Sequence, residues 1–201
     1  MRQHIGGLFL RLLGWRALGE APAAPRCVMI AAPHTSNWDL VFMLAFAWHY
    51  ELRPRFMMKH SVFVGPAGWL FRRLGGIPID RRTRKGVTDQ MVEALESSDE
   101  LLLLVPAEGT RVRAEYWKSG FYHIARKAKV PVVMSFLDYG RKEAGFGPAI
   151  QLTGDYRHDM DAVRAFYAGR LARYPAQVSP IRLREEIEQD FGDGSEAGGG
   201  R

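Results

Sequence analysis

The 201-residue sequence is poor in cysteine and has no long hydrophobic run, and each absence limits what the protein can be. Its single cysteine, Cys27, excludes an internal disulfide and favours a reducing compartment. Cys27 lies inside the apolar run 27–32, so we interpret it as a core residue and not as a nucleophile. No segment has the roughly 18 uninterrupted apolar residues typical of a membrane-spanning helix.

Two further motifs are absent from the sequence, and each absence argues against a class of enzyme. The sequence has no Gly-x-Ser-x-Gly turn, which argues against a serine hydrolase, and no Cys/His cluster with metal-ligand spacing. We therefore expect neither a metal nor a bound cofactor. The net charge of +6 favours polyanionic partners, which include nucleic acid, anionic lipid and phosphorylated small molecules, with simple solubility as the alternative. No nucleic-acid-binding motif is present, so a non-enzymatic basic protein that binds nucleic acid or membranes is only a remote alternative.

Short apolar runs alternate with helical patterns, which predicts an α/β fold in a single domain. A mixed, mostly parallel β-sheet is expected, flanked by helices. The predicted strands are 26–32, 54–59, 76–79, 101–105, 130–136 and 148–153. The predicted helices are 37–50, 61–74, 86–98, 119–128, 159–173 and 182–189. The main domain is expected to span residues 21–191, and the Gly-rich residues 192–201 are expected to form a disordered tail.

Residues 1–20 are expected to form an amphipathic N-terminal helix. Apolar residues recur there at helical spacing with basic residues interleaved, and the basic residues interrupt any signal-peptide core. The apolar positions are Ile5, Leu8, Phe9, Leu12 and Trp15. We predict a helix at a membrane surface with Trp15 at the headgroup level, and packing on the protein's own core is the alternative.

A second aromatic and basic segment lies in the predicted helix 61–74. Trp69, Leu70 and Phe71 stand next to Arg72 and Arg73. We interpret the three apolar residues as core beside a solvated pair of arginines, with lipid contact as the alternative.

The first chemical signal lies between the first predicted strand and the helix that follows it. Pro33 ends the strand, so His34 falls in the turn and Asp39 in the first helical turn. A carboxylate at this spacing can fold back on the imidazole, fix its tautomer and stabilise its protonated form. The other ring nitrogen is then free to act as a general base on a hydroxyl. The alternative is structural: His34 is bonded within the loop and Asp39 favours the helix dipole.

Two later segments carry groups suited to phosphate. A glycine-led strand at 75–82 ends in an arginine cluster, and arginine presents a planar fork to phosphate oxygens. The alternative is a solvated charge run at the end of the strand. The run 106–111 directly follows the apolar strand 101–105. There Gly109 permits a tight turn, while Thr110 and Arg111 can form a phosphate cradle with backbone N–H groups. Glu108 could pair with an arginine or with the acceptor.

Taken in order, these segments resemble the four blocks of the glycerolipid acyltransferase family. The family has a His-x4-Asp motif, a Gly-rich strand ending in arginine, a Glu-Gly-Thr-Arg turn and an apolar strand with proline. The corresponding segments here are 34–39, 76–81, 108–111 and 130–133, so the resemblance covers roughly residues 28–136. The chain departs from the family at Ala107, where a proline is usual, and has room for about one N-terminal helix instead of two.

The resemblance implies a role for each matched residue. His34 is the catalytic base and Asp39 its partner. Residues implied in binding the phosphorylated acceptor are Arg81, Glu108, Gly109, Thr110 and Arg111. Lys118, which follows the third block, is expected to add a cation to the phosphate site, with a solvated lysine as the alternative.

The expected function is therefore that of an O-acyltransferase resembling 1-acylglycerol-3-phosphate acyltransferases. A fatty acyl group would pass from an acyl thioester, either acyl-CoA or acyl carrier protein, to the free hydroxyl of lysophosphatidate, forming phosphatidate. Another lysophospholipid or an amino-acid-based lyso-lipid is the alternative acceptor. The expected partners are the membrane surface, the lysophospholipid and the thioester donor, without nucleic acid. The expected location is the cytoplasmic face of the membrane, as a peripheral or monotopic protein. The sequence carries no signal for an oligomeric state.

Overall fold

The structure, a computed structural model, describes residues 2–79 and 86–189. Seven strands lie within these residues: β1 (Arg16–Leu18), β2 (Arg26–Ala32), β3 (Arg55–Lys59), β4 (Gly76–Ile79), β5 (Leu101–Pro106), β6 (Val132–Asp138) and β7 (Glu143–Ile150). They form one sheet in the order β1-β7-β6-β2-β5-β3-β4. Neighbouring strands run parallel except for β6 and β7, which are antiparallel. The predicted α/β fold with a mostly parallel sheet is confirmed.

Helices cover both faces of this sheet, since parallel neighbours need crossover connections. They are α1 (Arg2–Leu12), α2 (Trp38–His49), α3 (Gly65–Arg73), α4 (Val87–Glu96), α5 (Gly120–Ala128) and α6 (Tyr156–Tyr167), and residues 184–189 are also helical. Side chains of α4, α5 and α6 join one core cluster, and side chains of α2 join the cluster on the opposite face. Two short 3-10 helices, His60–Val62 and Pro175–Gln177, lie in the connections.

Strand β5 shows why the sheet is buried on both sides. Leu101, Leu103 and Val105 belong to the core cluster of one face, while Leu102 and Leu104 belong to the cluster of the other. Alternate side chains of a strand point to opposite faces, so a continuous apolar run is what a doubly covered strand requires. Each such leucine contributes roughly 1.5–3 kcal/mol through burial. The rigid strand ends at Pro106, directly before the segment that carries Glu108.

The N-terminal segment is only partly the helix that the sequence predicts. Helix α1 ends at Leu12, because Gly14 takes a positive φ of 71°, and β1 then pairs with β7. The prediction for Trp15 is wrong: its side chain is buried and lies 4.4 Å from the ring of Phe42, centroid to centroid. The burial of α1 does not follow its predicted apolar face. Leu10, which the helical pattern puts opposite that face, is buried, whereas Leu8 is 59% exposed.

Helix α3 corrects a second prediction. The interpretation of Trp69 and Leu70 as core residues is wrong, because Trp69 is 64% exposed and Leu70 is 46% exposed. The guanidinium of Arg73 lies 5.6 Å from the centre of the Trp69 ring. In the part of the chain that the structure describes, no helix is long and apolar enough to cross a membrane.

Strand β7 and helix α6 begin earlier than predicted. Strand β7 starts at Glu143, because residues 143–145 pair with both β1 and β6. Helix α6 starts at Tyr156, where the side chain of Asp155 accepts a hydrogen bond from the His158 N–H at 3.0 Å and caps the helix. It ends at Tyr167, shortly before Gly169 takes a φ of 74°. The expected tail, 192–201, lies outside the described residues.

Candidate active site

The site forms where β2 and β5 end side by side. Ala31 of β2 is in register with Pro106 of β5, so the segments that follow each strand leave the sheet together. This register brings His34 next to Glu108, although 74 positions separate them in the sequence. Ligand sites of open α/β sheets commonly lie at such carboxyl ends of strands.

His34 and Asp39 form the predicted pair. The Nδ1 atom of His34 lies 3.1 Å from Oδ2 of Asp39. The same oxygen accepts hydrogen bonds from the backbone N–H groups of Thr35, at 3.0 Å, and Ser36, at 2.9 Å. The loop therefore wraps around the carboxylate at the start of α2. Since Nδ1 is engaged by Asp39, Nε2 is the ring nitrogen left for a substrate proton.

The electrostatics of the pair favour an ionised Asp39. Burial raises the pKa of its carboxyl group, but hydrogen bonds from His34, Tyr139 and the Ser36 backbone, with the charge of His34, outweigh burial and lower that pKa overall. The side chain of Asp39 is almost fully buried, whereas about a fifth of the His34 side chain is exposed. A buried carboxylate behind a partly exposed imidazole is the arrangement that general-base catalysis by histidine requires.

Tyr139, directly after β6, binds the second oxygen of Asp39. Its hydroxyl donates to Oδ1 at 2.7 Å. Burial, together with the hydrogen bond to Asp39 and the charge of Asp39, raises the pKa of this phenol, so it stays protonated and donates. Sequence reasoning missed Tyr139, because 100 positions separate it from Asp39 and no motif surrounds it.

Glu108 anchors the loop that carries His34. It is 1% exposed, and its Oε1 accepts a hydrogen bond from the backbone N–H of His34 at 2.7 Å. Its Oε2 accepts one from the backbone N–H of Ser179 at 2.9 Å. Both carboxylate oxygens are thus engaged by backbone amides, and Glu108 ties the loop that carries His34 to the segment that follows α6.

The turn after Glu108 brings further predicted residues to the site. Gly109 has a φ of 67°, and a Cβ atom built on it would lie 2.6 Å from Cγ of Lys118. Arg111 donates through Nη1 to Oδ1 of Asn37, one residue before α2. Thr110 accepts from the N–H of Val112 at 3.3 Å. The Nζ atom of Lys118 lies 5.5 Å from the centre of the Tyr116 ring.

A cavity of about 780 Å³ opens between these elements. Its polar part is lined by His34, Asp39, Thr110 and Arg111, together with Asn37 and Gly109. Its apolar part is lined by side chains of α2, β3, β5 and β7, which include Leu40, Met43, Phe46, Phe56, Met58, Leu104 and Phe146. The volume and the small number of convergent polar groups are typical of a site for a largely apolar ligand. Lys118 lies beside this cavity and not in its lining, and Arg81 lies outside the described residues.

The segment that follows α6 contacts several residues of the site. Besides Ser179, Tyr174 donates its backbone N–H to Oγ1 of Thr35 at 3.2 Å. The guanidinium of Arg173 lies 5.8 Å from the ring centres of both Trp38 and Tyr139. Because these contacts use backbone groups and rings, no residue type in the chain signals them. Among residues 2–79 and 86–189, no group of three His, Cys, Asp or Glu side chains could hold a metal ion.

Comparison with known proteins identifies a family and a similar fold. A family model described as "Acyltransferase" matches residues 19–135, which is more than half of the 201 residues. No curated protein matches the chain. Among solved structures, the fold is similar to that of the 1-acyl-sn-glycerophosphate (LPA) acyltransferase PlsC from Thermotoga maritima. The TM-score is 0.56 at 17% sequence identity, over 86% of this chain and 80% of that chain. The His34–Asp39 pair lies between the end of β2 and the start of α2, inside the matched region, and the chain belongs to the acyltransferase family.

Proposed function

We propose that this acyltransferase moves a fatty acyl group from an acyl thioester to the free hydroxyl of lysophosphatidate, giving phosphatidate. The observation that carries the proposal is the His34–Asp39 pair at the polar part of a largely apolar cavity. A fatty acyl chain needs an apolar cavity of this kind, and its reactive carbonyl must lie at the base that activates the acceptor.

The proposed reaction needs no serine or cysteine nucleophile. Nε2 of His34 takes the proton of the acceptor hydroxyl as that oxygen attacks the thioester carbonyl. The resulting tetrahedral intermediate expels the thiolate, which receives the proton from the imidazolium, so an ester and a free thiol are formed. Asp39 stabilises the imidazolium between the two steps. The donor, acyl-CoA or acyl carrier protein, is a co-substrate, and the reaction requires no bound cofactor or metal.

The test of this chemistry is thiol release and labelled phosphatidate formation from one labelled acyl thioester. His34→Ala should lower kcat by about a thousandfold, since positioned general bases contribute roughly 10²–10⁴. His158→Ala is the matched control, because this exposed histidine lies in α6, outside the cavity lining. Near-normal turnover by His34→Ala would overturn the mechanism.

For the acceptor phosphate, we propose a clamp that contains Thr110, Arg111 and the Gly109 turn, together with Arg81 and Lys118. Arg111 supports this because it lines the cavity beside the catalytic pair, and its guanidinium is oriented by Asn37. Holding the phosphate would place the acceptor hydroxyl at His34, which is a positioning effect. Arg111→Ala should therefore raise KM for lysophosphatidate at least tenfold and leave a phosphate-free monoacylglycerol acceptor unaffected. An equal loss on both acceptors would exclude the clamp.

We also propose that the protein works at the cytoplasmic face of a membrane as a peripheral or monotopic protein. Helix α1 supports this, because Ile5, Leu8 and Leu12 are each half exposed or more, beside the basic Arg11. Apolar side chains flanked by arginine are typical of helices that lie in a membrane interface. A Leu8→Gln/Leu12→Gln variant should lose co-sedimentation with anionic phosphatidylglycerol vesicles while keeping its fold by circular dichroism. Unchanged co-sedimentation would assign membrane contact to another surface.

A further inference from the structure

Both carboxylate oxygens of Asp39 have hydrogen-bond partners, and only the partners of one oxygen lie in the His-x4-Asp motif. The motif side engages Oδ2, through His34 and the N–H groups of Thr35 and Ser36. The other oxygen, Oδ1, accepts the 2.7 Å hydrogen bond from the Tyr139 hydroxyl. Tyr139 lies beyond the residues 19–135 that the family model matches. Because the contacts from His34, Thr35 and Ser36 all use Oδ2, the loop would keep them without this tyrosine.

We propose that Tyr139 is a positioning residue for acyl transfer, whose hydroxyl fixes the Asp39 carboxylate in the orientation that holds Nδ1 of His34. The proposal rests on the proposed role of His34 as the general base. A carboxylate can rotate about its Cβ–Cγ bond, and a bond to Oδ1 stops that rotation. Oδ2 then stays aimed at the imidazole, and Nε2 stays aimed into the cavity.

The Tyr139 ring is itself firmly placed. Its centroid lies 5.1 Å from that of Trp15 and 5.8 Å from that of Phe42, both in edge-on contacts. Its backbone N–H donates to the carbonyl of Leu171 at 2.8 Å. A phenol held on its ring edges and at its backbone donates from a fixed point, which is what a positioning role requires.

The charges around the pair give the proposal a distinctive pH signature. The groups that face Asp39 are His34 and Tyr139, and the Arg173 guanidinium lies 5.8 Å from the centre of the Tyr139 ring. The Tyr139 hydrogen bond lowers the pKa of Asp39, because it stabilises the ionised carboxylate. Without it, more negative charge remains on the carboxylate, which then holds a protonated His34 more strongly. The acidic limb of the kcat/KM profile should then move to higher pH.

The experiment compares Tyr139→Phe with Tyr122→Phe in the acyl-transfer assay from pH 5 to 9. Tyr122 is the matched control, because its buried hydroxyl also donates to a carboxylate, Oδ2 of Asp159, at 2.7 Å, but outside the cavity lining. For Tyr139→Phe we expect kcat to fall about tenfold, as for loss of one hydrogen bond to a charged group. We expect KM values within about twofold and an upward shift of the acidic limb by about half a pH unit. Tyr122→Phe should lower the unfolding temperature and leave kcat and the profile unchanged.

The possible outcomes separate this proposal from the one on which it rests. If His34→Ala is inactive while Tyr139→Phe keeps the normal kcat and pH profile, Tyr139 has no positioning role. If His34→Ala itself keeps full activity, the general-base mechanism fails, whatever Tyr139→Phe does. A loss of kcat in Tyr122→Phe equal to that in Tyr139→Phe would assign the effect to stability and overturn the positioning role.

A second variant keeps the test decisive if Tyr139→Phe does not fold. A fluorinated tyrosine at position 139 keeps the shape of the ring and donates a stronger hydrogen bond. It should move the acidic limb to lower pH, opposite to the expectation for phenylalanine. A profile that does not move, or moves upward, would contradict the proposed role of the hydroxyl.

Discussion

Replacing Glu108 with glutamine changes the point where the loop that carries His34 meets the segment that follows α6. The carboxylate accepts from the N–H of His34 at 2.7 Å and from the N–H of Ser179 at 2.9 Å, and it is 1% exposed. Glutamine keeps the shape but offers one oxygen and one NH₂ group. One backbone N–H would therefore keep its acceptor, and the other would face a second donor in a buried position.

The size of the effect follows from this mismatch. Leaving a buried donor without an acceptor costs about 1–3 kcal/mol, and the surviving bond loses the extra strength of a charged acceptor. We expect Glu108→Gln to lower the free energy of unfolding by about 3 kcal/mol. Because the loop that carries His34 loses an anchor, kcat should also fall, by at least tenfold.

The assay is urea unfolding followed by circular dichroism, together with acyl-transfer kinetics. Glu186→Gln is the matched control, because Glu186 is also buried and accepts from a backbone N–H, that of Leu183, at 2.6 Å, away from the cavity lining. It should lose stability and keep kcat. If Glu108→Gln kept normal stability and only raised KM for phosphate-bearing acceptors, Glu108 would be a direct acceptor contact, and the anchoring argument would be refuted.

Two further predictions concern titratable groups. The pKa values of Asp39, Asp138 and Asp159 lie below the ordinary value of 3.8: burial raises each of them, but hydrogen bonds that stabilise the ionised form outweigh it. The stabilisation they give is full above that value and is lost as the pH falls through their lowered pKa values, so the free energy of unfolding should decline below about pH 4. Urea unfolding from pH 7 to pH 3 measures this, and a rise on acidification would contradict it. Burial also raises the pKa of Cys27 to about 12, so its thiol should react with a maleimide only after the protein unfolds. Mass spectrometry measures the labelling. Rapid labelling of the native protein would contradict this, because it would show that β2 is open to solvent.

The parts of the site that the sequence could predict are those set by neighbours in the chain. His34 and Asp39 meet because a strand, a turn and a helix start fall within a few residues, and this local geometry follows from the residue types. Tyr139 and Ser179 could not be predicted, because they reach the loop from 100 positions beyond Asp39 and 71 positions beyond Glu108. The sheet order and the path of the chain after α6 bring them there, and no local sequence pattern predicts either.

The strands also differ in whether the sequence predicts them. Strands β2 and β5 were predictable, because a short and continuous apolar run is typical of a strand buried on both faces. Strand β1 was not, since it has only three residues, and only the end of β7 was predicted, since its first part contains two glycines. A Cβ atom on Gly145 would lie 1.8 Å from the carbonyl oxygen of Leu18, so the glycine is there to let the β1 backbone approach. A residue that weakens the strand pattern in the sequence is therefore what allows the sheet to extend.

The bond from Ser179 to Glu108 also means that the loop carrying His34 is anchored through a residue that is synthesised after it. The loop carrying His34 leaves the ribosome early, but one oxygen of its anchor finds its donor only when residue 179 has been made. A nascent chain stalled before that residue would lack one of the two hydrogen bonds that the buried Glu108 side chain accepts. We expect such chains to gain full acyl-transfer activity only once Ser179 has emerged, so this contact couples activity to the synthesis of the segment that follows α6.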